Sequence, residues 1–262
     1  MSRKGGVKVV RGLYSAAAGM MAQQVRVDII ANNLANVDTP GYKRDMVSFR
    51  TFPEMLISRL GRAPKRNIGS LTTGSIVDEI STSYRPGSLR DTGNPFDLAL
   101  LGNANAFFVV RTPEGELCCT RQGSFTLDGN RRLVTTSGCA VLGLSNGQLV
   151  EIYLPADFQV NGNGLLTGAV NNQGWVVERL ALVEIPDVQA LEKMGNSLYR
   201  GEIAVGDPPD CEVRQGYLEA SNVDPLTEMV SMMAAMRLYE ANQRVIQATD
   251  STLGKAIEVG QV

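Results

Sequence analysis

The chain contains no histidine. That absence removes the usual general base near neutral pH, the usual neutral zinc ligand and every Ser-His or Cys-His dyad. The four cysteines, Cys118, Cys119, Cys139 and Cys211, show no CxxC spacing, which argues against a zinc site and a redox pair. Cys118 and Cys119 are adjacent, so on a strand they point to opposite faces and are badly placed to bridge each other. Nothing in the spacing supports a pairing of either with Cys139. No uninterrupted run approaches about 18 apolar residues, so no membrane-spanning helix is expected. Charge of one sign is also missing. Lys and Arg number 25 against 27 Asp and Glu, and no net field favours nucleic acid or an acidic membrane surface. The sequence therefore points to no cofactor, no metal and no catalytic residue.

What is present suffices for a core: 44% of 262 residues are hydrophobic, enough for one to two folded domains. Near the N-terminus, Leu13, Ala16, Met20, Gln23, Val27, Ile30 and Leu34 recur at intervals of three and four, a heptad seam. Met229, Met232, Met236, Tyr239, Gln243, Ile246, Asp250, Leu253 and Ile257 form a second seam near the C-terminus. Asp224 is a good N-cap for that second helix and Pro225 a good first residue. Seams of this length are not stable alone, and each carries polar positions that fix register at a cost in stability. Two terminal helices that pack against copies of themselves explain the pattern better than a hairpin closing one domain, because methionine-rich faces adapt to several neighbours.

The first helix is expected to stop near Asn36, since Thr39-Pro40-Gly41 cannot continue it. Asn32, Asn33 and Asn36 then serve as caps and turn formers, with amides also suited to reading a neighbouring chain's backbone. Arg3, Lys4, Lys8 and Arg11 precede an uncharged run, as in a secretory signal, but the apolar positions continue in register through Leu34, so a cleaved signal is not expected.

Residues 43–80 read as a linker with a short helix near Glu54 to Leu60 and a solvated basic cluster at Arg59, Arg62, Lys65 and Arg66. From Ser81 the period changes. Short apolar runs alternate with turns such as Asp128-Gly129-Asn130, Asn146-Gly147 and Asn161-Gly162-Asn163-Gly164, giving candidate strands at residues 97–101, 107–111, 116–120, 124–127, 133–135, 140–142, 148–153, 159–160, 165–166, 176–185 and 198–200. The glycines at 162, 164 and 168 miss dinucleotide-loop spacing and fit a hairpin turn better. The expected fold is α+β: a discontinuous, coiled-coil-like helical domain from residues 1–42 and 217–262, a linker over 43–80, and a central all-β domain over 81–216.

Three stretches carry a resemblance. Arg11-Gly12-Leu13-Tyr14 with Asp28 through Lys43, including Asn32-Asn33, Asn36, Thr39-Pro40-Gly41 and Tyr42, resembles the N-terminal signature of the bacterial flagellar rod and hook proteins. Gly216-Tyr217-Leu218-Glu219-Ala220-Ser221-Asn222-Val223-Asp224, with Arg237, Tyr239 through Asn242 and Asp250, resembles their C-terminal signature. Thr92 through Leu100 and Thr120 through Phe125 resemble their middle domain. The chain departs from the pattern at Ala106, where glycine is usual, at Cys119, where an aromatic is common, and in residues 1–8, which extend beyond the usual start.

This resemblance implies a structural axial component of the basal-body rod. Such a protein is exported through the flagellar apparatus, assembles helically with itself and other rod proteins through its terminal helices, and transmits torque across the periplasm. It inserts in no membrane and binds no nucleic acid. Length leaves a proximal and a distal rod member. Val141-Leu142-Gly143 after Thr136-Ser137-Gly138, and the ending Lys255 through Val262, look more like the proximal one. A rival class, a periplasmic hydrolase, would need two converging carboxylates from Glu114, Glu116, Asp128 and Glu151. A monomeric binding module would instead remain one species at all concentrations.

Overall fold

In the computed structural model, the described residues are 6–51, 55–58, 67–71, 74–155, 158–167, 179–201, 203 and 210–260; side chains are described outside 6–11, 55–58 and 67–71. Helix α1 spans Gly6–Ala35 and helix α2 spans Pro225–Gly260, with antiparallel sheet between them in sequence. This is the α+β composition expected. The chain divides into two compact units. Residues 35–44 and 82–223 form one; the two helices with residues 45–81 form the other.

Within the β unit, a ten-stranded antiparallel sheet runs Glu192–Gly195, Leu198–Arg200, Leu117–Thr120, Ala106–Arg111, Ala140–Ser145, Leu133–Thr135 and Phe125–Leu127; Gln148–Glu151 and Arg179–Leu180 pair with Ala140–Ser145, and Leu182–Glu184 with Ala106–Arg111. Alternate residues of its central strands enter different cores. Phe108, Val110, Cys118 and Val141 join one cluster with Leu98, Leu133 and Ile152. Phe107, Val109, Cys119 and Leu142 join another with Tyr84, Leu144 and Tyr199. Because both faces are covered, these strands read as continuous apolar runs rather than as polar alternation. The register Val109↔Cys119 and Val110↔Cys118 keeps each face in phase.

All four cysteines are free. Cys118 and Cys119 lie in separate clusters, as adjacent residues on a strand must. The Asn161 to Gly164 segment is a hairpin turn: Gln159–Val160 pairs with Leu166–Thr167, and Gly164 takes a φ of +72°. Two short ladders were not anticipated, Glu212–Gln215 on Leu98–Leu101 and Tyr217–Glu219 on Leu89–Asp91.

In the helical unit, α1 ends at Ala35, where Thr39 N donates to Asn36 O and Gly41 adopts a φ of +67°. Asp224 caps α2 through Leu226 N, at 3.2 Å from Oδ1, and the Thr227 hydroxyl, at 2.5 Å from Oδ2. These bonds hold the Asp224 carboxyl below its ordinary value, the Thr227 hydroxyl first among them. The helices meet at Gly19, where an added Cβ would lie 2.9 Å from Asn242 Nδ2.

Residues 43–80 correct one expectation. Met55–Ser58 is a strand paired with Asn67–Leu71, not part of a helix, and Asp45–Thr51 pairs with Ser75–Thr82. Four residues, Met55 to Ser58, suit a strand as well as a helical turn, and pairing with Asn67–Leu71 decides between them. The basic cluster at Arg59, Arg62, Lys65 and Arg66 lies outside the described residues.

Candidate functional site

The helix faces come first. On α1, Ile30 and Ala16 are buried, and Leu13, Met20, Gln23, Val27 and Leu34 are half-buried. On α2 the positions Glu228, Met232, Ala235, Tyr239, Asn242, Ile246, Thr249 and Leu253 are covered and alternate by four and three residues, with Ser231 half-buried beside Met232. Met232, Tyr239, Ile246 and Leu253 belong to the seam read from sequence; Met229 and Met236 lie outside the covered face, 47% and 50% exposed. They join Leu226, Val230 and Met233 in an apolar stripe on the other side of α2. Tyr14 and Met21 are the large exposed apolar residues described on α1.

The asparagine-rich motif is engaged within the chain. Asn33 is buried, its Oδ1 accepting from Asp45 N and its Nδ2 donating to Asp45 O, both at 2.9 Å. That pairing mimics a strand ladder and turns the chain directly after α1. Asn36 Oδ1 accepts from the Thr39 hydroxyl. Asn222 Oδ1 accepts from Arg44 N at 2.8 Å, and its Nδ2 donates to Ser83 O and Arg85 O. Ser221 holds Val223 N. Tyr42 is buried, Pro40 half-buried and Asn32 exposed.

Beneath this motif lies a feature that sequence reasoning missed. Lys43, Arg121 and Glu219 form a charge cluster sealed from solvent. Lys43 Nζ sits 2.5 Å from Glu219 Oε1, and Arg121 Nη1 sits 3.2 Å from Glu219 Oε2. Gly87 N adds a third donor to the carboxylate, on Oε1, and Gly41 N donates to the Glu219 carbonyl. Two cations face one carboxylate, so the surplus positive charge is met by neutral acceptors: Arg85 O for Lys43, Leu100 O and Asn103 O for Arg121. The Arg121 guanidinium also lies 5.5 Å from the centre of the Phe107 ring. Burial pushes both Lys43 and Arg121 below their ordinary values, against the pull of Glu219. Each charge comes from a different one of the three signature stretches.

The backbone packs as closely as the charges do. At Gly41 an added Cβ would lie 2.4 Å from Arg121 O, and at Gly87 it would lie 1.9 Å from Ala220 O. Three of the four carboxylates considered for hydrolysis are bound to arginines instead. Asp128 and Glu151 both face Arg132, at 3.4 and 3.3 Å, and Glu116 faces Arg200 at 2.7 Å. Glu114 is exposed.

Comparison with known proteins decides the family. Residues 13–43 match the family described as flagella basal body rod protein, and residues 214–259 the C-terminal family of flagellar basal body rod FlgEFG proteins. Residues 103–178 match the flagellar hook protein FlgE/F/G D1 domain. The chain is 34% identical to the flagellar hook-basal body complex protein FlhO of Bacillus subtilis, over 97% of this chain and all of the relative. The chain belongs to the flagellar basal-body rod family. It is similar as well to the basal-body rod protein FlgG of Borreliella burgdorferi, at 32% identity over 95% of this chain and 98% of the relative. For the FlgG of Bacillus subtilis the figures are 30%, 96% and 99%. A flagellar rod protein of this family is a structural component of the basal-body rod. The three matched segments bring one member each, Lys43, Arg121 and Glu219, to the buried charge cluster. No helix among the described residues is long and apolar enough to cross a membrane.

Proposed function

We propose that this rod protein assembles helically, with copies of itself and with other rod proteins, through a coiled-coil-like domain built from residues 1–42 and 217–262, and so carries torque along the rod. The observation that carries this reading is the two-sided α2. One side holds the four-and-three spaced positions Met232, Ala235, Tyr239, Ile246 and Leu253; the other exposes Leu226, Met229, Val230, Met233 and Met236. A helix with a second apolar stripe has more apolar surface than its own chain covers, and a heterologous contact that fails to close extends into a filament. Residues 81–216 form the outer β domain, and the protein reaches the rod through the flagellar export apparatus. It has no catalytic role. Glu116, Asp128 and Glu151 being held by arginines supports this.

Within the rod we assign the proximal position, on Val141-Leu142-Gly143 and the ending from Lys255 to Val262. Labelling the protein along purified basal bodies tests the assignment: label at the cell-proximal end supports it, and label next to the hook replaces it with the distal position. Sedimentation of the full chain over a range of concentrations tests self-assembly. One unchanging monomeric species overturns it.

A further inference from the structure

We infer that Met229, Met233 and Met236 form an oxidation-sensitive modification site that governs incorporation of the subunit. The inference rests on the assembly reading above and adds a chemical control to it. The three thioethers follow one another by four and three residues on the exposed side of α2, at 47%, 52% and 50% exposure, flanked by Leu226 and Val230. Further along α2 the side that carries the stripe continues with the exposed Arg237, Glu240 and Arg244, and the exposed Leu238 and Val245 fall on another side of the helix. This stripe therefore belongs to the first half, and three of its five residues carry sulfur.

Three of the four competing thiols are shielded, and Cys211 is half-buried. Cys118, Cys119 and Cys139 are buried, and burial pushes the Cys119 thiol up to about 12, leaving it protonated. Burial also raises the thiols of Cys118 and Cys211. Exposed thioethers therefore meet a soluble oxidant first. In the reaction with a peroxide, the O–O bond breaks and an S–O bond forms at the thioether. One oxygen atom is transferred, sulfur loses two electrons, and the peroxide is reduced to water or an alcohol. The product is a polar sulfoxide in place of an adaptable apolar side chain. On a face that must be buried against a neighbour, three such changes oppose docking. Once docked, the same face shields the sulfurs, so the site is open only in the subunit awaiting assembly.

The test treats the full chain with hydrogen peroxide, maps sulfoxides by peptide mass, and follows self-association by sedimentation. Expected are faster oxidation at Met229, Met233 and Met236 than at half-buried Met20 and Met232, and self-association weakened about tenfold per sulfoxide, the factor that follows from losing one buried side chain of this size. A variant carrying Met229→Leu, Met233→Leu and Met236→Leu should associate and keep that association under peroxide. Oxidised wild-type chain that associates undiminished, or stripe methionines no faster than Met20 and Met232, overturns the inference. Peroxide mapping on purified basal bodies separates it from the assembly reading. Stripe methionines as reactive in rods as in the free chain overturn that reading; protected methionines in rods that still admit oxidised subunits overturn only the oxidation control.

Discussion

Glu219 Oε1 lies 2.5 Å from Lys43 Nζ, although the two residues are 176 positions apart and neither side chain reaches solvent. The same carboxylate takes Arg121 on its other oxygen and Gly87 N beside the lysine. Its removal strands two buried cations at once. Glu219→Gln should destabilise the β unit by about 3–5 kcal/mol, the range for breaking a buried ion pair from one side. Lys43→Met should cost less, because Arg121 and Glu219 remain as a balanced pair. Denaturant midpoints for the two variants check the order, and a Lys43→Met protein less stable than Glu219→Gln contradicts this account.

Gly41 presses its backbone against Arg121 O and holds a φ of +67°. Gly41→Ala adds a Cβ where only 2.4 Å is available and keeps a left-handed conformation that L-residues resist. Strain of this kind costs about 1–3 kcal/mol before the clash is counted. Thermal unfolding should show a clear loss. Gly129→Ala, where a Cβ meets nothing within 4 Å, serves as the control and should be nearly silent.

Alkaline pH should destabilise the β unit. The Cys119 thiol is pushed from an ordinary 9.0 up to about 12 by burial, with Cys118 alongside adding to the rise. Between those values the unfolded chain releases the proton while the folded chain keeps it, so the unfolded state gains and stability falls as pH rises. Burial raises Cys118 and Cys211 in the same sense. Lys43 acts the other way: its folded value is lowered by burial, so its contribution improves as pH rises toward the ordinary lysine range. Urea midpoints from pH 8 to 11 should decline from about 9 onward, and Cys119→Ala should flatten that decline relative to its own value at pH 8. An equally steep decline in the variant removes Cys119 as a cause.

Substituting Leu34 or Ile246 with Asp places a charge on the half-buried faces of α1 and α2. Either change should abolish assembly, because an unpaired charge at a helix contact is costly, while the β unit stays folded. Sedimentation reads the first effect and near-ultraviolet circular dichroism the second. A variant that still assembles contradicts the placement of these seams. Hydrogen exchange on dilute chain adds a further check: helices whose apolar faces await partners should exchange faster than the strand Ala106–Arg111.

Much of this fold could be read before any coordinates. Strands such as Leu133–Thr135 and Leu198–Arg200 have the bounds expected of them, because glycine and asparagine turns mark each end of an apolar run. The end of α1 and the Asp224-Pro225 start of α2 were legible for a similar reason, since capping chemistry is local. Met55–Ser58 was misread because four residues fix no period and its partner, Asn67–Leu71, begins nine positions later in the sequence. Glu212–Gln215 and Tyr217–Glu219 escaped notice because each pairs with a strand more than a hundred residues earlier. On α2 the positions Met232, Tyr239, Ile246 and Leu253, read from the seven-residue repeat, all lie on the covered face. Apolar residues occupy both sides of the first half, so Met229 and Met236, which lie on the exposed stripe, entered the same seam. The buried charges were hidden by their own chemistry, since lone Lys, Arg and Glu are expected at the surface until a partner is seen.

Cys118 and Cys119 point into different cores from one strand, and Val109 and Val110 opposite them do the same. A sheet buried on both faces has no loose side toward which it can bend without compressing packed side chains. For a component of a rotating shaft, that makes the β unit a stiff plate under shear, with its compliance left to the turns at its margins.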